Sequence, residues 1–169
     1  AGVTDVAYDG EGRPTSLTLP GGARATITRD VAGRATRIVD PTGRTLDYGY
    51  DAVGQLTRVT HAGGAVRITR NGAGDIERIT TAGGQTRTFT YDEAGRLLQR
   101  NGGALTAAET FAYDGAGNIA RSVDAAGNAI DHVYDPTGRL VMRTGGSESE
   151  TLTWGPGGRL SAAQTATGD

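Results

Sequence analysis

His61 and His132 are the two histidines of the chain, and a Ser/His/Asp hydrolase would need one of them within reach of a serine. Neither stands where that is suggested. His132 occupies a slot filled at corresponding positions by Phe, Tyr, Val, Ile or Leu, and His61 abuts the turn-forming run Ala62-Gly63-Gly64. Both are read as structural. There is no Gly-x-Ser-x-Gly elbow, no His-Glu-x-x-His helix, no Gly-Lys-Ser phosphate loop and no lysine at all. The absence of cysteine closes thiol nucleophiles, thiolate zinc sites, iron-sulfur clusters and disulfides. The expectation is a protein that is not an enzyme, with no catalytic residue and no cofactor.

Carboxylates offer the other route to chemistry, through glycoside hydrolysis or calcium binding. Asp9, Asp30, Asp51, Asp92, Asp114 and Asp135 recur at a nearly constant spacing, and Asn71-Gly-Ala-Gly-Asp75 resembles a fragment of the calcium-binding nonapeptide Gly-Gly-x-Gly-x-Asp. That nonapeptide works by recurring every nine residues so that adjacent turns share ions, which a spacing near 21 does not provide. No metal site is assigned. Arg13, Arg34, Arg96, Arg139 and Arg159 follow a glycine in the same pattern, where an anionic glycan or phosphate is conceivable, but the Asp row beside them is the simpler partner. Exposed Arg-Asp contacts are worth only about 0 to 1 kcal/mol each. Their repetition also penalises strand slippage, because a wrong register places like charges opposite one another.

These positions recur because the whole chain does. Repeats begin at Tyr8, Arg29, Tyr50, Arg70, Tyr91, Tyr113, Tyr134 and Trp154, 20 to 22 residues apart, and eight of them fill residues 1–169, read as a single repeat segment. Four residues into every repeat stands a glycine: Gly12, Gly33, Gly54, Gly74, Gly95, Gly117, Gly138 and Gly158. The second position is Asp9, Asp30, Asp51, Asn71, Asp92, Asp114, Asp135 and finally Gly155. An Asp or Asn accepts a hydrogen bond from the backbone two residues on, and a glycine three residues later takes a positive φ without a Cβ clash. This is a hairpin loop. A second glycine signal falls mid-repeat, as at Pro20-Gly21-Gly22, Pro41-Thr42-Gly43 and Ala126-Gly127-Asn128, so each repeat supplies two strands and the chain about 16.

Alternation assigns the faces. Two residues before each repeat start stand Val6, Ile27, Tyr48, Ile68, Phe89, Phe111, His132 and Leu152, in step with the opening Tyr, Arg or Trp; with a strand period of two they share one face. After the turn, Leu56, Ile76, Leu97, Ile119, Leu140 and Leu160 begin the return strand, whereas Leu17, Ile38, Val59 and Ile79 have the opposite parity. Either both faces are partly buried or a bulge intervenes. The fold expected is all-β, a repetitive antiparallel β-hairpin sheet. No segment sustains an apolar 3.6-residue period.

Composition agrees. Leu, Ile, Val and Phe make up only about 17% of the chain, while Gly and Pro supply 28 and 5 residues, which favours short strands and many turns. Seventeen basic residues, all arginine, against 19 acidic ones give a net charge of −2, which does not suggest a nucleic-acid binder. No apolar run approaches the ~18 residues of a membrane-spanning helix. The start, Ala1-Gly2-Val3-Thr4-Asp5, lacks the basic and apolar regions of a signal peptide, so a signal for export is expected outside this segment.

The strings Tyr48-Gly-Tyr-Asp-Ala-Val-Gly-Gln-Leu56, Phe89-Thr-Tyr-Asp-Glu-Ala-Gly-Arg-Leu97, Phe111-Ala-Tyr-Asp-Gly-Ala-Gly-Asn-Ile119 and His132-Val-Tyr-Asp-Pro-Thr-Gly-Arg-Leu140 closely resemble the YD repeat of Rhs proteins, aromatic-x-Tyr-Asp-x-x-Gly-Arg-Leu. Val6-Ala-Tyr-Asp-Gly-Glu-Gly-Arg-Pro14 is nearly as close, while the repeats at Arg29, Arg70 and Trp154 keep the glycine and lose the tyrosine. Rhs proteins, Tc-toxin cocoon subunits and teneurins are alike in these repeats. The resemblance implies a long β-sheet that spirals into a hollow shell, commonly around a toxin domain or the protein's own C-terminal region. Toxin-releasing Rhs proteins end their core in an Asp-Pro-x-Gly-Leu type of cleavage motif. Asp40-Pro-Thr-Gly-Arg44 and Asp135-Pro-Thr-Gly-Arg139 are internal and carry Arg at the fifth place, so no cleavage is assigned.

About 16 strands at ~4.8 Å each give roughly 75 Å of sheet, or a closed ring about 24 to 32 Å across that loses ~10 Å to inward side chains. A 100-residue cargo is about 34 Å across, so enclosure needs more chain or more copies. The function expected is a shell-wall segment of an Rhs-type toxin or related secreted protein, secreted, at the cell surface or delivered by a bacterial secretion system, and partnered by the remaining repeats, by an enclosed cargo and by another strand edge. The alternative is a cell-surface adhesin or carbohydrate-binding module whose aromatics stack on sugars. Packing of Tyr50, Tyr91, Tyr113 and Tyr134 along the sheet favours the first; an open aromatic groove favours the second.

Overall fold

A computed structural model describes residues 4–103 and 107–167. Ala1–Val3, on which the reading of the chain start partly rests, lie outside the described residues. All the regular structure described is β, in sixteen antiparallel strands whose order in the sheet is their order in the chain. The chain divides into two compact halves at Thr86/Arg87.

The first half carries β1 (Asp5–Tyr8), β2 (Pro14–Thr18), β3 (Arg24–Arg29), β4 (Ala35–Val39), β5 (Thr45–Tyr50), β6 (Leu56–His61), β7 (Gly64–Arg70) and β8 (Ile76–Thr80). The second carries β9 (Thr86–Tyr91), β10 (Leu97–Gly102), β11 (Glu109–Tyr113), β12 (Ile119–Val123), β13 (Ala129–Tyr134), β14 (Leu140–Gly145), β15 (Glu148–Trp154) and β16 (Leu160–Thr167). Each repeat turn joins the strand that ends on the repeat's opening residue to the strand that begins six residues later.

One register recurs across these hairpins. Tyr50 pairs with Leu56, Gly49 with Arg58 and Tyr48 with Val59, so Thr57 is left over as a bulge. Thr15, Thr36, Ala120 and Ser161 are left over in the same way opposite Ala7/Tyr8, Thr28/Arg29, Ala112/Tyr113 and Thr153/Trp154. The extra residue explains the parity conflict in the sequence. Tyr48 and Tyr50 share a face, and so do their partners Val59 and Leu56, although those are three residues apart. Where the bulged residue is a hydroxyl, it donates back across the hairpin: Thr15 Oγ1 to Ala7 O at 3.2 Å, Thr57 Oγ1 to Gly49 O at 3.2 Å and Ser161 Oγ to Thr153 O at 2.9 Å.

The apolar stripe runs across the first half through the cross-strand pairs Val6–Leu17, Leu17–Ala25, Ile27–Ile38, Ile38–Leu46, Tyr48–Val59, Val59–Val66 and Ile68–Ile79. Such pairs contribute roughly 0.2 to 1 kcal/mol each. Among the described residues only Ser16 and Ala65 are buried, and no large side chain is fully enclosed. The sheet is held by its backbone ladder, its turns and these lateral contacts.

Candidate functional site

The backbone of the repeat turn is built the same way each time. In the first, Asp9 N donates to Arg13 O at 2.9 Å and Gly12 N to Asp9 O at 3.0 Å. Asp9 Oδ1 accepts from Glu11 N at 3.1 Å and Arg13 N at 2.9 Å, while Oδ2 accepts from Arg13 Nε at 2.7 Å. Asp30, Asp92 and Asp135 make the same set with Arg34, Arg96 and Arg139, through Nε contacts of 2.8, 2.7 and 2.8 Å. Asp51 accepts from the backbone of Val53 and Gln55, and Asp114 from the backbone of Ala116 and Asn118. Gly12, Gly33, Gly54, Gly74, Gly95, Gly117, Gly138 and Gly158 all have φ between 72° and 95°, the left-handed region that a side chain disfavours.

Hydrogen bonding holds the carboxyls of Asp9, Asp30, Asp92, Asp114 and Asp135 below the ordinary aspartate range. For Asp9 and Asp92 the largest cause is the backbone N–H four residues on, supported by the guanidinium there. For Asp114 it is the Asn118 side-chain amide, and for Asp135 the Thr137 hydroxyl. Asn71 and Asp75, which resemble a calcium-motif fragment, are the same turn with its polarity exchanged: Asn71 Nδ2 donates to Asp75 Oδ2 at 3.3 Å. Among the described residues no group of three or more His, Asp or Glu is placed to hold a metal ion.

The opening aromatic of a repeat reaches back to the hairpin before it. Tyr50 Oη donates to Ala35 O at 2.8 Å, Tyr113 Oη to Leu97 O at 2.8 Å, Tyr134 Oη to Ile119 O at 3.1 Å and Trp154 Nε1 to Leu140 O at 2.8 Å. Each acceptor is the first residue after the preceding repeat turn. The arginine of that turn lies over the ring: Arg34 over Tyr50 at 4.7 Å, Arg96 over Tyr113 at 4.7 Å and Arg139 over Trp154 at 5.8 Å. An exposed contact of this kind is worth about 0.5 to 1 kcal/mol. Arg29 replaces the tyrosine in the second repeat and reaches the equivalent carbonyl, Pro14 O, at 3.4 Å through Nη2. Tyr91 is half-buried like Tyr50, Tyr113 and Tyr134, while Tyr8 is 61% exposed.

Sequence reasoning missed this ladder, although its signal is present as an Arg at the sixth place of one repeat followed by an aromatic opening the next. It also missed that Asp40 and Asp124 build the same turn mid-repeat, each accepting from backbone two and four residues on. His61 Nδ1 accepts from Gly63 N at 3.0 Å, doing in its two-residue turn what Asp does elsewhere. His132 lies on the stripe face of β13 opposite Arg143, with Nδ1 buried and without a hydrogen-bond partner among the described residues.

Known proteins place this arrangement in context. The family model described as Teneurin YD-shell matches residues 30–151. No curated protein sequence matches the chain. The crystal structure of TcdB2-TccC3-Cdc42 contains a chain 18% identical with a TM-score of 0.79, covering 99% of this chain and 11% of that one. The Photorhabdus luminescens Tc holotoxin pore matches at 16% identity and a TM-score of 0.78, covering 99% and 11%. The crystal structure of TcdB2-TccC3 matches at 17% and 0.78, covering 99% and 12%. The chain thus shares their fold and spans about a tenth of their length.

Proposed function

The chain belongs to the Teneurin YD-shell family, and from that premise we propose that its eight repeats act as one stretch of shell wall in an Rhs-type toxin or related secreted bacterial protein, enclosing a C-terminal toxin or cargo polypeptide. The role is mechanical and non-enzymatic. The observation that carries it is the backward tie from each repeat's aromatic to the previous hairpin, seen at Tyr50, Tyr113, Tyr134 and Trp154. Such a tie lets identical hairpins propagate a sheet without a core, which is what a wall requires. On this reading the motif residues from Tyr8 and Asp9 to Trp154 and Gly158 are structural. Its partners are the remaining repeats of the parent polypeptide, joined through outer strands, and the enclosed cargo.

The adhesin alternative needs free aromatic faces for sugars. Guanidinium groups already lie over Tyr50, Tyr113 and Trp154. The test is protease protection of the cargo in the parent polypeptide. Tyr113→Ala and Trp154→Ala are expected to speed cargo digestion in proportion to their loss of stability, and His61→Ala to leave it unchanged wherever folding is intact. Cargo digested at the same rate in the native shell and in its absence would overturn the proposal.

A further inference from the structure

Arginines on the sheet faces are matched across strands by acids in four places. Arg37 pairs with Asp47, Arg100 with Glu109, Arg121 with Asp131 and Arg143 with Glu150, each as direct register partners and each as an ion pair. At one place two arginines face each other instead. Arg58 on β6 is the register partner of Arg67 on β7, and Arg78 on β8 lies diagonal to Arg67, whose own partner is Thr80. All three are exposed, and their guanidinium groups have no hydrogen bond or ion pair among the described residues. Asp47, diagonal to Arg58, is engaged by Arg37 at 3.4 Å. Like charges directly opposite on neighbouring strands are destabilising, so the chain keeps an unfavourable pair where it elsewhere places an acid.

We infer that this face of β6–β8 is a docking surface for an acidic polypeptide segment, whose carboxylates supply the missing partners of Arg58, Arg67 and Arg78. Strands ~4.8 Å apart set the guanidiniums in a short row, and each presents the planar fork that binds a carboxylate bidentately. Gly49, the other register partner of Arg58, has no side chain to obstruct approach. The rest of the face over these strands is Thr60, Ala65, Thr69 and Thr80, with the bulged Thr57 beside Arg58 and the bulged Glu77 beside Arg78. It offers no aromatic platform for bases, and a chain of net charge −2 lacks the positive field that draws a nucleic-acid backbone. The inference does not depend on the shell-wall reading.

The test uses the 169-residue chain and a fluorescein-labelled ten-residue polyglutamate, followed by anisotropy at low and moderate salt. A neutral Gly-Ser ten-mer and a ten-nucleotide oligothymidylate serve as comparisons. The chain should bind polyglutamate in preference to both, and more weakly as salt rises. Arg67→Gln should weaken binding by about tenfold, the loss of one charge-assisted contact. Arg159→Gln, at an exposed arginine that is not part of β6–β8, should leave it unchanged. Arg67→Glu adds a second readout: it should abolish binding while raising the thermal midpoint of the free chain, because it installs the Arg-acid register pair found at Arg37 and Asp47. No binding at low salt, equal loss in Arg159→Gln, oligothymidylate bound as tightly as the peptide, or undiminished binding by Arg67→Glu would each overturn it.

Discussion

The hydroxyl of Tyr113 donates to the carbonyl oxygen of Leu97 at 2.8 Å, bridging 16 residues, while Arg96 next to that carbonyl lies over the same ring. The ring comes from one repeat and both anchors from the one before it. Tyr113→Phe keeps the ring and removes one hydrogen bond, so it should cost about 0.5 to 1.5 kcal/mol. Tyr113→Ala also removes half-buried apolar area and the guanidinium's platform, so it should cost about 2 kcal/mol or more. Urea midpoints check the order. Equal losses in both variants would place the whole effect in the hydroxyl and remove the ring from the account.

The turn glycines separate conformational strain from crowding. A Cβ on Gly95 would meet no heavy atom within 4 Å, yet φ there is 75°. Gly115, in the next repeat turn, is equally open but lacks positive φ. Gly95→Val should therefore destabilise by about 1 to 3 kcal/mol, and Gly115→Val should stay within about 0.5 kcal/mol. Similar denaturation midpoints for the two would refute the left-handed assignment.

Much of this architecture was legible because glycine and aspartate act through local backbone geometry, which sequence records directly. The spacing from Asp9 to Gly12 and from Asp135 to Gly138 gives the turn without reference to the rest of the molecule. The bulge was visible only as a contradiction, with Leu56 and Val59 both apolar but of opposite parity. No intrinsic preference of Thr57, Ala120 or Ser161 marks the residue left over, since pairing across the hairpin decides it. The Arg96–Tyr113 contact was hidden for another reason. It joins side chains 17 residues apart, and that separation becomes proximity only once the register is fixed.

Acid should weaken the turns. The carboxyls of Asp9, Asp92, Asp114 and Asp135 are held below their ordinary value by hydrogen bonds present in the folded chain. A group whose pKa is depressed by folding contributes fully above its unfolded value, about 3.9 for aspartate, and loses that contribution as pH falls towards the folded value. Denaturant midpoints should hold level from neutral pH to about pH 5 and then drop below about pH 4. Asp92→Asn should flatten part of that acid limb. An acid limb unchanged in steepness by Asp92→Asn would show that other groups carry it.

His132 stands in the slot that Phe89 and Phe111 fill in the two preceding repeats, with its Nδ1 buried and unpartnered among the described residues. A buried polar atom without a partner costs about 1 to 3 kcal/mol of desolvation that a shape-matched apolar group does not incur. The ring slot is already aromatic in shape, so phenylalanine fits without opening a cavity. His132→Phe should therefore stabilise the chain by about 1 kcal/mol, while His132→Ala should destabilise it by removing lateral packing on β13. Thermal and urea denaturation of both variants check this. A lower midpoint for His132→Phe would mean that Nδ1 has a partner in solution, and would reopen this histidine as a site.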